Sequence, residues 1–183
     1  TLEAGRWLHV AGANGVGKTS LLRMLCSLAP IEFGDICWNG EPIRKLAQVY
    51  RQDLFYLGHL NALQESMTVI ENIVFSTALD GFSVEQSEIP KLLVQFGVGG
   101  RGTQLVRHLS QGQKRRVALL RLALTPARLW VLDEPFVAMD EAGIRMLASL
   151  IAQHLGNGGM AVLTSHQTVD IGGIAAQILD LSA

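Results

Sequence analysis

Residues 12–19, Gly-Ala-Asn-Gly-Val-Gly-Lys-Thr, spell G-x-x-x-x-G-K-[ST], and their flanks restrict what can be built around them. Upstream, "RWLHVAG" (6–12) is a short, mostly apolar run ending in glycine. Downstream, "TSLLRMLCSLA" (19–29) places Leu21, Leu22, Leu25 and Leu28 on one helical face before Pro30. Strand, glycine loop and helix in that order form a phosphate cradle. Gly12, Ala13, Asn14, Gly15, Val16 and Gly17 aim backbone N–H groups at phosphate oxygens, the helix start adds about half a positive charge, and Lys18 adds a full one. Thr19 offers a hydroxyl to Mg²⁺, and Ser20 continues the same binding turn.

The other elements supply a sheet for that loop. "GDICWNGEPI" (34–43) reads as a hairpin turning at Asn39-Gly40. Between Leu63 and Leu109 the pattern becomes helical, with one capping box at Thr68 and Glu71 and a second at Ser83 and Gln86; Pro90 kinks or splits the latter helix. "LWVLDEP" (129–135) is a buried strand ending in acids. "DEAGIRMLASLIAQHLGNGG" is a helix closed by Gly156, "MAVLTSH" a strand and "AQILDL" the last strand. Strands alternating with helices predict an α/β fold, with a mostly parallel sheet core, a small β layer and an inserted helical subdomain. At 183 residues, one domain is expected.

A net charge of −1 argues against nucleic acid as a partner. No apolar run approaches the ~20 residues of a membrane span. Cys26 and Cys37 fit no metal or disulfide spacing and read as reduced, core-packing thiols.

Asp133 and Glu134 end an apolar strand, where a parallel sheet delivers side chains to its ligand crevice. Asp133 suits Mg²⁺ held with phosphate, and Glu134 suits a general base that polarises water. His166 follows the next strand and can orient that water beside Glu134. His9, His108 and His154 lack such a setting and read as packing or surface residues.

A second helix start resembles an anion site. In "HLSQGQKRRVALLRL" (108–122), Ser110 and Gln113 form a capping box, and the N–H groups of Gln111, Gly112 and Gln113 suit a phosphate. Lys114, Arg115, Arg116 and Arg121 make this helix basic, as a solvated face or as a contact for an acidic partner.

The phosphate loop, "LSQGQ", "LWVLDEP", the aspartate of "FVAMD" and the histidine of "LTSHQ" occur in an order that resembles the ATP-binding cassette family across nearly the whole chain. The resemblance implies a P-loop NTPase of ABC ATPase type, with ATP and Mg²⁺ as ligands. Residues 1–62 and 111–183 are then the nucleotide-binding core, residues 63–110 the helical subdomain, and the family's N-terminal strands are expected outside this chain. Two such domains, as a homodimer, would meet head to tail. The signature residues Ser110, Gln111, Gly112 and Gln113 would then complete the site on the partner's ATP, with Asp140 at the seam. Gln111 stands where the family's signature is usually small.

Within the family, "YLGHL", "MTVIENIVF" and "LTSHQ" resemble the haem-exporting branch that serves cytochrome c maturation. Many relatives carry glutamine where His59 stands, in the loop that couples to the membrane subunits. That resemblance implies integral membrane partners and a place on the cytoplasmic face of the inner membrane. The alternatives are the motor of another small ABC transporter, or a slow ATP-gated regulatory module.

Overall fold

The computed structural model describes residues 1–182. In chain order they form β1 (Trp7–Ala11), α1 (Lys18–Leu25), β2 (Cys37–Trp38), β3 (Glu41–Pro42), α2 (Ile43–Gln52), β4 (Leu54–Leu57), α3 (Val69–Leu79) and α4 (Ile89–Gln95). A short 3-10 turn at Val106–His108 leads to α5 (Gln111–Leu124), β5 (Leu129–Leu132), α6 (Glu141–Gly156), β6 (Met160–Thr164) and β7 (Gln177–Asp180). These elements fall into two compact units, one of residues 1–59, 126–135 and 151 onward, the other of residues 60–125 and 136–150. Among the described residues no helix is long and apolar enough to cross a membrane.

The first unit is built on a five-stranded sheet in the order β4-β5-β6-β1-β7, with every pairing parallel. Strands β5 and β6 are buried at every position, which explains why "LWVL" and "MAVLT" are uninterrupted apolar runs instead of alternating ones. Val10, Leu22, Tyr50, Val131 and Val162 meet in the core between sheet and helices. The register pairs Leu57 with Leu132, Leu132 with Leu163, and Val10 with Thr164. The carboxyl ends of β1, β5 and β6 are therefore level, and the loops leaving them open on one edge of the sheet, where α/β folds bind ligands. The hairpin of β2 and β3 turns at Asn39 and Gly40, both with positive φ (51° and 83°), the conformation that two-residue turns between twisted strands require.

Several sequence expectations need correction in detail. Helix α1 ends at Leu25, because Ser27 adopts a left-handed φ of 55°, and Leu28 lies exposed beyond it instead of continuing the apolar face. Helix α2 and strand β4 add to the elements expected from the sequence; Ile43 and Tyr50 are the buried side of α2, and the Tyr50 hydroxyl donates to Leu25 O at 2.7 Å. Gly156 is the last residue of α6, and Gly158, with φ 83°, makes the left-handed closure. Cys26 is buried and its thiol is pushed up to about 12 by desolvation, whereas Cys37 lies exposed on β2 and packs no core.

In the second unit, Thr68 caps α3 through the expected box: Thr68 Oγ1 accepts from Glu71 N, and Glu71 Oε2 accepts from Thr68 N at 2.7 Å. The Ser83 and Gln86 box does not form. Pro90 instead sits in the first turn of α4, where its missing N–H costs no helical hydrogen bond, and it starts that helix instead of kinking a longer one. The basic residues of α5 are not a solvated face. Lys114 pairs with Glu65, Arg116 with Asp140 and Arg121 with Asp80, while Arg115, 4% exposed, donates to Asn61 Oδ1.

His154 of α6 stacks face to face on Trp130 with ring centroids 3.8 Å apart, and its Nε2 lies 3.2 Å from Met160 O. Desolvation lowers its pKa below the ordinary 6.5. Below pH 6.5 the unfolded chain takes up a proton that the folded chain resists, so stability falls as the solution is acidified. Thermal melting at pH 7.5 and 5.5 is expected to show a smaller acid-induced loss for His154→Phe, which keeps the stack, than for the wild type.

Candidate active site

Gly17, at φ 109°, turns the chain out of the loop after β1 and caps α1 with its backbone alone, so no side chain of its own covers the first N–H groups of the helix. The loop residues Ala13, Asn14, Gly15 and Val16 are exposed, as are Thr19 and Ser20, while Gly12 and Gly17 are half-buried. Lys18 is buried and its ammonium donates to Gly12 O at 2.7 Å and Ala13 O at 3.0 Å. The charge is thus poised inside the curve of the loop that it would serve.

Asp133 leaves the end of β5 with 2% exposure, and its backbone N–H donates to Leu57 O at 2.8 Å. Its two carboxylate oxygens are held separately. Thr19 Oγ1 donates to Oδ2 at 2.9 Å, and Thr164 Oγ1, from the end of β6, donates to Oδ1 at 2.9 Å. Glu134 follows with φ 50°, a left-handed conformation rare for a residue with a side chain, and its N–H donates to the same Thr164 hydroxyl at 2.9 Å. His166 Nε2 lies 3.1 Å from Glu134 Oε1; the glutamate side chain is mostly buried and the imidazole is more than half exposed. The first unit therefore brings together the phosphate loop, Thr19, Asp133, Glu134 and His166. His59 is exposed two residues beyond β4, in the same unit.

The donor set suits a hard divalent cation. A threonine hydroxyl and one carboxylate face each other, and among the described residues no group of three or more His, Cys, Asp or Glu side chains could hold a metal by itself. Mg²⁺ binds in that manner, through one or two protein oxygens with phosphate and water completing its shell.

The signature residues lie in the second unit. Ser110 Oγ accepts from Gln113 N at 3.3 Å, and Gln113 Oε1 accepts from Ser110 N at 2.9 Å, so the capping box is complete. Ser110 and Gln111 are exposed, and Gly112 and Gln113 half-buried. Asp140, read from the sequence as a seam residue, has work inside its own unit: its Oδ1 accepts from Gly143 N at 2.9 Å, capping α6, and pairs with Arg116 of α5. The Gly143 N–H foremost, with the Arg116 charge, holds the Asp140 carboxyl below its ordinary range. Trp7 is buried, with its indole N–H donated to Ile174 O at 2.8 Å. The residue that sequence reasoning missed is Thr164, an ordinary β-branched residue in an apolar strand.

A level-ended parallel sheet, the phosphate loop and the paired strand-end acids define an ATP-binding-cassette ATPase domain, and the chain belongs to the ABC transporter family, whose profile matches residues 1–137. It is 71% identical over 182 residues to the cytochrome c biogenesis ATP-binding export protein CcmA of Albidiferax ferrireducens, covering 100% of this chain and 87% of that one. It is 49% identical to the protein of the same name in Dechloromonas aromatica, over 93% of this chain and 83% of the other. A solved structure described as an ABC transporter ATP-binding protein of Pyrococcus furiosus superposes with a TM-score of 0.84 at 28% identity, covering 99% of this chain and 86% of that one.

If Asp140 serves α6 as its cap, a side chain that still caps should preserve the helix start. Urea unfolding is expected to give a lower midpoint for Asp140→Ala than for Asp140→Asn, since asparagine caps as well as aspartate.

Proposed function

We propose that the chain is the ATP-hydrolysing subunit of an ABC complex that exports or handles haem for cytochrome c maturation. The observation that carries the chemistry is the arrangement of Thr19, Asp133, Glu134 and His166 at one sheet edge beside the phosphate loop. The haem assignment rests on likeness to the CcmA proteins.

Residues 12–20 cradle the phosphates of ATP, with Lys18 leaving its loop carbonyls for a phosphate oxygen, an exchange that replaces neutral acceptors by a charged one. Thr19 and Asp133 would hold Mg²⁺, which would supply positive charge against the phosphates of ATP. Glu134 takes a proton from the attacking water as its oxygen bonds to the γ-phosphorus, and the bond to the β–γ bridging oxygen breaks to leave ADP. His166 fixes the Glu134 carboxylate and reaches toward the γ-phosphate from its exposed side.

Ser110, Gln111, Gly112 and Gln113 serve the ATP of a second copy, in a head-to-tail homodimer with Asp140 at its seam. The complete capping box supports this by fixing the start of α5: it engages the Gln113 N–H at Ser110 Oγ and sets an exposed Ser110 and Gln111 at the positive end of the helix. His59 lies in an exposed loop, the contact for integral membrane subunits in this reading; the cytoplasmic face of the inner membrane as the site of action rests on likeness to the CcmA proteins.

The test is steady-state ATP hydrolysis by the protein purified with its membrane partners. Glu134→Gln is expected to lower kcat by at least about 100-fold while ATP remains bound, consistent with loss of a general base. Equal turnover in wild type and Glu134→Gln would overturn the assignment of Glu134 as the base, and negligible turnover in both would favour an ATP-gated clamp.

A further inference from the structure

We infer that Thr164 is a positioning residue for ATP hydrolysis, whose hydroxyl couples the Mg²⁺-holding carboxylate to the backbone of the general base. The inference rests on the ATPase reading above and adds a residue to it.

Thr164 ends β6, is fully buried and points its Oγ1 toward the end of β5. That oxygen donates its hydrogen to Asp133 Oδ1 and accepts the N–H of Glu134, both at 2.9 Å. A hydroxyl has one donor and two lone pairs, so both contacts are satisfied at once. Neither valine nor alanine can make them, although valine has nearly the same shape.

Two consequences follow for the chemistry. Asp133 carries a hydroxyl on each carboxylate oxygen, Thr19 on Oδ2 and Thr164 on Oδ1, so its plane is fixed from both sides and the Thr19 oxygen is presented at a set angle. Glu134 sits at φ 50°, and the Thr164 hydroxyl is an acceptor that this unusual backbone conformation satisfies. Were the peptide between Asp133 and Glu134 to rotate, both carboxylates would move together. Misplacing a general base by a fraction of an ångström is costly in rate, whereas ATP binding through the phosphate loop does not pass through Thr164.

Thr164→Val in the intact membrane complex is expected to lower kcat about 10- to 100-fold, the loss typical of one hydrogen bond to a charged group, with the KM for ATP within about twofold of wild type. The Mg²⁺ concentration that half-maximally tightens equilibrium ATP binding, read without turnover, should rise at least about threefold, because the carboxylate is less well held. Thr164→Ser, which keeps the hydroxyl and loses a methyl, should recover most of the rate and the wild-type Mg²⁺ midpoint; a residue that only packs the core would instead be better replaced by valine than by serine. Thr164→Ala serves as a second hydroxyl-free variant should valine not fold, with the same prediction. Wild-type kcat and Mg²⁺ midpoint in Thr164→Val or Thr164→Ala would overturn the inference, as would a serine variant slower than the valine one. Glu134→Gln, measured alongside, separates the two levels: negligible wild-type turnover overturns the ATPase reading and the role of Thr164 with it, turnover insensitive to Glu134→Gln overturns Glu134 as the base and with it the coupling through Thr164, and sensitivity to Glu134→Gln with indifference to Thr164→Val removes Thr164 alone.

Discussion

The Asp133 carboxylate, buried and hydrogen-bonded on both oxygens, is the interaction around which the first unit is arranged. A buried ionised carboxylate persists only where donors replace the water it has lost. Here the donors come from distant parts of the chain: Thr19 from the start of α1 and Thr164 from the end of β6. The same carboxylate therefore links three neighbouring elements of one sheet edge and leaves a hard oxygen pair beside the phosphate loop. Structural economy and chemistry coincide at that point.

The parallel register makes this possible. Because β1, β5 and β6 end level, with Val10 opposite Thr164 and Leu132 opposite Leu163, the residues just past each strand fall within hydrogen-bonding reach. Leu132 of β5 pairs with Leu163 of β6, so a slip along either strand would separate Asp133 from Thr164. The second unit obeys a different logic. Its helix α5 is anchored by pairs that neutralise its basic side chains, Lys114 with Glu65, Arg116 with Asp140 and Arg121 with Asp80.

Most of the site could be read from the sequence because its chemistry is local. The phosphate loop is contiguous, Asp133 and Glu134 are adjacent, and the two capping boxes at Thr68 and Ser110 each need only a three-residue spacing that the structure reproduces. What could not be read depends on contacts across the chain. Nothing in "LTSH" distinguishes Thr164 from a strand residue that merely packs, since its role is defined by Asp133 and Glu134, some thirty residues earlier. The basic run of α5 looked solvated for the same reason: its acidic partners lie at positions 65, 80 and 140. A proline between apolar residues predicts a kinked or split helix, yet Pro90 opens α4, where its missing N–H costs nothing, and α2 leaves little signal because its buried face comprises little more than Ile43 and Tyr50.

The most direct measurement of the central claim is the equilibrium affinity for ATP in Mg²⁺ and in EDTA, for wild type beside Asp133→Asn. If the carboxylate held by Thr19 and Thr164 is the cation's protein ligand, wild type binds ATP more tightly with Mg²⁺ and Asp133→Asn loses that gain while retaining its affinity in EDTA. An undiminished Mg²⁺ effect in Asp133→Asn would contradict the account.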